Sequence, residues 1–309
     1  MKNKYLLAIP ALIVTIAVFV AISRQPSPTA NNTTNKINIV ASFYPLADFA
    51  QNIGGEHVNV INITPPGAEP HEFEPTPRDM AQIYTADLFI LNGQGVDAWA
   101  EKIIPELTAN NVATIKMSDH LGNLKINNPS SPDEQYDPHF WLDPTNAAKE
   151  ADIVADALIK IDSAHTKEYN QNRDTFKIKL LQLDQEIKLG LTNCKSREII
   201  TTHDAFAYLA NHYGLTTFHI LGLSPEEEPS PKQIAAISNL AREKNIKYIF
   251  FETVVDQKLS QTIANEIGAQ TLVLNPIEGL TKEEIQNGQN YISVMRNNLQ
   301  NLKTALVCP

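Results

Sequence analysis

From Thr145 to Leu189 the chain contains neither glycine nor proline, the two residues that interrupt helices most effectively. Within that run Tyr169, Phe176, Leu180, Leu183 and Ile187 return to one face at helical spacing. "DSAH" at 162–165 is a cap signal, and Gly190 is a suitable stop. The spacing predicts one helix over 166–190, roughly 37 Å long at about 1.5 Å per residue. Such a rod is a stiff connector between whatever folds on its two sides.

Both sides read alike. "INIVAS" (37–42), "VNVINI" (58–63) and "LFIL" (88–91) have the composition of strands in the first half. "EIITT" (198–202), "TTFHIL" (216–221), "YIFF" (248–251) and "TLVL" (271–274) have it in the second. Helical patterns such as "PRDMAQIYTA" and "PKQIAAISNLAREKN" lie between them. Strand–helix alternation of this kind argues for parallel α/β layers, here formed twice. The expected fold is therefore two parallel-sheet α/β lobes, 37–165 and 191–309, joined by the helix 166–190.

The first residues point to export. "MKNK" supplies two lysines, and an uncharged run then extends from Tyr5 to Ser23. A basic start before an apolar run is a signal peptide, with Ala21 and Ser23 suiting cleavage after 23. The run also approaches the ~20 residues of a membrane span, so an uncleaved anchor over 1–23 is the alternative. No cysteine follows it, which argues against a lipoprotein. Residues 24–36, polar and rich in Asn and Thr, read as a tether. The folded part is thus expected outside the cytoplasmic membrane, in a periplasmic or other extracytoplasmic space. The net charge of -10, with no basic cluster beyond the start, argues against a nucleic-acid partner. Cys194 and Cys308 are the only cysteines, too few for a cysteine metal cluster and free to pair in an oxidising compartment.

Three of the eight histidines stand apart by position. His71 lies in "GAEPHEFEPTP", a loop stiffened by proline, and His139 lies in "YDPHFWLDP", a loop of the same kind. His203 follows the strand "EIITT" directly. Ligands of open α/β sheets bind beyond the carboxyl ends of the strands, where His71 and His203 fall, one from each lobe. The loop "LNPIEGL" after the last strand adds Glu278. Three imidazoles and one carboxylate suit tetrahedral zinc. Asp204 and Glu252 stand near the expected cleft, as partners of a ligand imidazole or as helix caps. Glu69, Glu72 and Glu74 read as solvated charges, and Trp99, Trp141, Phe206 and Tyr208 as packing. His57, His120, His165, His212 and His219 carry no motif.

Together "GAEPHEFEPTP", "DPHFWLDP", "TTHDAFAYLANHYGL" and "LNPIEGLTKEEIQNGQNYISVMRNNL" resemble the zinc/manganese solute-binding proteins of bacterial ABC uptake systems, from about Ile37 to the C-terminus. The resemblance implies metal ligands at His71, His139 and His203 plus a carboxylate of the last loop. That carboxylate is assigned to Glu278, because Asn275 stands where many relatives carry aspartate. It implies a non-enzymatic, monomeric receptor that delivers its metal to a membrane permease driven by a separate cytoplasmic ATPase. Histidine at the third position, where manganese-type relatives place a carboxylate, favours Zn2+ over Mn2+. The histidine-rich loop of many zinc-type relatives is replaced here by "GNLKINNPSSPDEQY". A manganese-binding receptor of the same family, a zinc enzyme and a surface adhesin are the competing expectations; no "HExxH" motif supports the enzyme, and no residue signature the adhesin.

Overall fold

The computed structural model describes residues 36–121, 136–225, 229–254 and 258–309. Two four-stranded parallel sheets organise them. In the first, β1 (Ile37–Ala41), β2 (Val58–Asn62), β3 (Leu88–Leu91) and β4 (Ala113–Lys116) lie in the order β2-β1-β3-β4. In the second, β5 (Glu198–Thr201), β6 (Thr216–His219), β7 (Tyr248–Phe251) and β8 (Gln270–Val273) repeat that order as β6-β5-β7-β8. Central parallel strands are covered on both faces, which is why β3 reads "LFIL" and buries all of it. In each sheet the order reverses between the first and third strands, so a cleft opens at the carboxyl ends there.

The helices used below are α1 (Tyr44–Gly54), α2 (Pro77–Tyr84), α3 (Pro144–Ile161), α4 (Thr166–Gly190), α5 (Ala207–Tyr213), α6 (Pro231–Glu243), α7 (Lys258–Ile267) and α8 (Tyr291–Leu306). α2 and α6 begin with the same device: Thr76 with Asp79, and Ser230 with Gln233, form capping boxes ahead of a proline in the first turn.

The predicted rod is present as the 25-residue α4, and its apolar stripe Tyr169, Phe176, Leu180, Leu183 and Ile187 is buried. Its ends differ from expectation. His165 precedes it without a side-chain cap, and Asp162 instead accepts hydrogen bonds from the Tyr169 hydroxyl and the His165 ring. Gly190 is not in the left-handed conformation of a helix stop; a Cβ there would lie 3.0 Å from Leu299 Cδ1, so close approach to α8 explains the glycine. Nor is α4 a free strut. It packs on α3 and α1 of the first lobe and on α8 of the second, within one continuous core that includes Phe49, Trp141, Phe176 and Tyr291.

Strand β4 was not anticipated. "ATIK" is an edge strand with only Ile115 buried, so it lacks the apolar run of its neighbours. The cysteines are joined: a Cys194–Cys308 disulfide ties the segment after α4 to the end of α8. Among the described residues no helix is long and apolar enough to cross a membrane; the apolar run at 5–23 lies outside them.

Candidate metal centre

Each of the four predicted side chains stands on a loop at a sheet's carboxyl edge. His71 follows β2 in a loop pinned to the other lobe, where the Gly67 N–H donates to the Leu280 carbonyl at 3.0 Å. Gly67 has φ +82, a backbone open mainly to glycine. His139 sits just before a short 3-10 turn, Phe140–Leu142, that leads into α3. Asp137 Oδ1 accepts from the His139 N–H and lies 2.7 Å from its Nδ1. The preceding carbonyl, of Pro138, accepts from Asn92 Nδ2 at 3.0 Å. Asn92 is in turn fixed by the buried Asp97, which accepts from the N–H groups of Asn92 and Gly93 and from the Ser42 hydroxyl.

His203 is placed by strand register. Ile200 of β5 pairs with Ile249 of β7, so three residues further on His203 falls beside Glu252. His203 Nδ1 and Glu252 Oε1 lie 2.6 Å apart. Glu278 comes from the loop after β8, and it does not cap the next helix: Thr281 does so, in a box with Glu284.

These four side chains converge. Their donor atoms all lie within 4.8 Å of one another. Glu278 Oε1 stands 3.5, 3.0 and 3.2 Å from Nε2 of His71, His139 and His203 respectively, and the last two nitrogens are 3.4 Å apart. Four donors about 2.0–2.1 Å from a zinc ion define a tetrahedron with edges of ~3.3 Å, which these separations approach. The carboxylates on Nδ1 of His139 and His203 fix those rings with Nε2 turned to the cluster. His139, His203 and Glu278 are fully buried, and His71 is largely so.

The electrostatics favour a cation. Burial opposes ionisation of Glu278, yet His203 and the other imidazoles hold its carboxyl well below the usual range. Burial would lower His139, but Asp137 and then Glu278 push it up to about 9. His203 is raised well above its ordinary value against burial, by Glu252 and Glu278. A metal ion entering here would displace protons and keep the same carboxylates satisfied.

Other expectations are revised. Glu72 and Glu74 are exposed, but Glu69 is half-buried; burial and the nearby Glu278 push it up to about 8, and it is no ordinary solvated charge. Glu252 does orient a ring, whereas Asp204 pairs with His219 at 3.5 Å. Trp141 and Tyr208 do more than pack. The Trp141 indole donates to the Pro276 carbonyl and the Tyr208 hydroxyl to the Asp137 carbonyl, each crossing between lobes. Asn275 offers no atom to the cluster. Asp137 was missed, although "DPH" carries the signal: an aspartate two residues before a histidine can bond its backbone and its ring together. His212 also bridges the halves, to Asp143 and Asp184.

Two α/β lobes with a cluster of metal-type donors buried in the cleft between them define a two-lobed binding protein. Comparison with known proteins specifies which kind. The chain belongs to the family described as "Zinc-uptake complex component A periplasmic", which it matches over residues 39–305. It is 35% identical over 288 residues to the high-affinity zinc uptake system protein ZnuA of Bacillus subtilis (strain 168), covering 90% of each chain. To the zinc-binding lipoprotein AdcA of Streptococcus pneumoniae (strain ATCC BAA-255 / R6) it is 37% identical over 278 residues, 87% of this chain. It spans only 55% of that protein's length. The crystal structure of the Zn(II)-bound ZnuA-like domain of Streptococcus pneumoniae AdcA superposes with a TM-score of 0.77 at 36% identity, covering 88% of this chain and 99% of that one.

Proposed function

We propose that this chain is an extracytoplasmic zinc receptor that captures Zn2+ as cargo through His71, His139, His203 and Glu278 and delivers it to an ABC-type uptake permease. The observation that carries the reading is the buried convergence of these four donors at edges near those of a zinc tetrahedron. Three nitrogens and one oxygen make a softer set than manganese prefers. Four protein donors also leave no open position for a reacting water, which favours a receptor over a zinc hydrolase. The names of the relatives, a zinc uptake protein and a zinc-binding lipoprotein, support the same assignment. In this reading 1–23 directs export or anchors the chain, 24–36 tethers it, and the lobes 37–165 and 191–309 flank the helix 166–190. The receptor acts as a monomer, and a separate cytoplasmic ATPase drives the permease.

Elemental analysis of the purified chain with competitive metal titration tests this. One zinc per chain is expected, with a rise in melting temperature. Ligand at 100 times its dissociation constant adds about 2.7 kcal/mol to stability by linkage. An unchanged melting temperature at saturating zinc would refute the site.

A further inference from the structure

The turn that delivers Glu278 is held by groups that contribute no donor themselves. From α8, Asn298 accepts the Asn275 N–H at Oδ1 (2.9 Å) and donates Nδ2 to the Asn275 carbonyl (2.7 Å). One buried amide thus occupies both backbone groups of one residue. The Asn275 side chain carries the restraint onward. Its Oδ1 accepts the Ile277 N–H at 2.7 Å, and its Nδ2 reaches Thr253 Oγ1 at 2.8 Å and Glu284 Oε1 at 3.2 Å. Ile277 has φ +62, which a β-branched side chain adopts only where its surroundings over-determine it. From the opposite lobe, the Trp141 indole N–H donates to the carbonyl of the intervening Pro276 at 2.8 Å. Backbone groups of three successive residues, Asn275 to Ile277, are therefore fixed immediately before Glu278.

This restraint bears on how the carboxylate can bind. Oε1 faces all three imidazoles, while Oε2 is buried with no hydrogen-bond partner among the described residues. Bringing both oxygens to one ion requires the carboxylate to shift, and the clamped turn resists that. A single-oxygen carboxylate completes a four-donor zinc shell. Manganese is harder and favours octahedral, oxygen-rich coordination, so it gains more from a second carboxylate oxygen.

We infer that Asn298, Asn275 and Trp141 are specificity-determining positioning residues: by clamping the turn before Glu278 they hold it to one-oxygen ligation and so favour zinc over manganese. The inference rests on the zinc-receptor reading above and adds the means of selection.

The test compares the full chain with Asn298→Leu and Trp141→Phe, and with His203→Ala as a control on the site. Zinc and manganese affinities are measured by competition with a chromophoric chelator, and the visible spectrum of the cobalt-loaded protein reports coordination number. Each clamp variant is expected to lose tenfold or more in zinc affinity while manganese affinity holds or rises. Its cobalt bands should weaken as coordination expands beyond tetrahedral. Trp141→Phe keeps an aromatic side chain while removing the indole donor, so it decides the question even if Asn298→Leu does not fold. Equal losses for both metals, or an unchanged cobalt spectrum in Trp141→Phe, would overturn the inference while leaving the site intact. Zinc binding that survives His203→Ala would overturn the site reading and this one with it.

Discussion

His203 Nδ1 lies 2.6 Å from Glu252 Oε1, with both side chains at most 1% exposed. The pairing follows from the alignment of β5 with β7, which sets the residues after the two strands side by side. A buried carboxylate on Nδ1 fixes the ring's orientation and makes the opposite nitrogen a better donor. The cluster thus depends on a residue that never faces it.

Replacing that carboxylate while keeping its shape isolates the effect. Glu252→Gln is expected to weaken zinc binding by about 10–100-fold, the usual consequence of losing such a partner. Asp137→Asn should act likewise through His139. Competitive titration measures both, and affinities within twofold of the parent chain would refute the positioning role.

Substitutions at the donors themselves should be more severe. His71→Ala, His139→Ala and His203→Ala each remove a nitrogen, and zinc should then no longer raise the melting temperature appreciably. Glu278→Ala should cost more than tenfold in affinity, because it removes the one anionic donor of the four and leaves more of the cation's charge uncompensated. Calorimetric titration decides, and a Glu278→Ala chain that binds normally would remove the carboxylate from the set.

The metal-free and zinc-loaded proteins should respond oppositely to pH. His139 in the fold is pushed up to about 9, above its ordinary value of about 6.5. Its protonation therefore stabilises the metal-free fold fully below about 6.5, and that contribution disappears as pH rises through about 9. Zinc competes with the same proton, so its affinity should climb over that interval. Scanning calorimetry at pH 6.5 and 9 should show the metal-free transition moving down and the gap to the zinc-loaded transition widening. A constant gap would contradict the assignment of His139 as a donor.

Reduction of Cys194–Cys308 should destabilise the chain without emptying the site. The bridge closes a 114-residue separation, and disulfides contribute roughly 2–4 kcal/mol, mainly through the unfolded chain. It joins the start of the second lobe to its end, and neither cysteine belongs to the cluster of four donors. A Cys194→Ser, Cys308→Ser chain should melt several degrees lower with unaltered zinc affinity, as calorimetry and titration can establish.

How much could be read in advance depended on whether a residue's role was local. α4 was legible because helix formation over 166–190 depends on an uninterrupted stripe that sequence displays directly. The convergence of His71, His139, His203 and Glu278 was legible because proline-stiffened loops and strand ends mark where an α/β sheet presents groups. β4 was not, since an edge strand half open to solvent needs no apolar run. The clamp of Asn298 on Asn275 was equally hidden. It spans 23 residues and serves a backbone turn, and nothing about either asparagine by itself signals it. The stop at Gly190 was right in position but wrong in cause, because the approach of Leu299 is a tertiary fact.

His71 and His139 belong to one lobe, His203 and Glu278 to the other, so a zinc ion held by all four, as proposed, would be gripped by two bidentate halves of one tetradentate chelate. Any parting of the lobes would halve the denticity at once, so zinc affinity would depend on how the lobes are held together as much as on the ligands. The halves are not equivalent in charge. One offers two imidazole nitrogens, the other an imidazole nitrogen and a carboxylate oxygen, and a divalent cation would stay with the half that supplies the anionic donor. On opening, the ion should therefore remain with His203 and Glu278, so that the first lobe withdraws and the second presents the cargo.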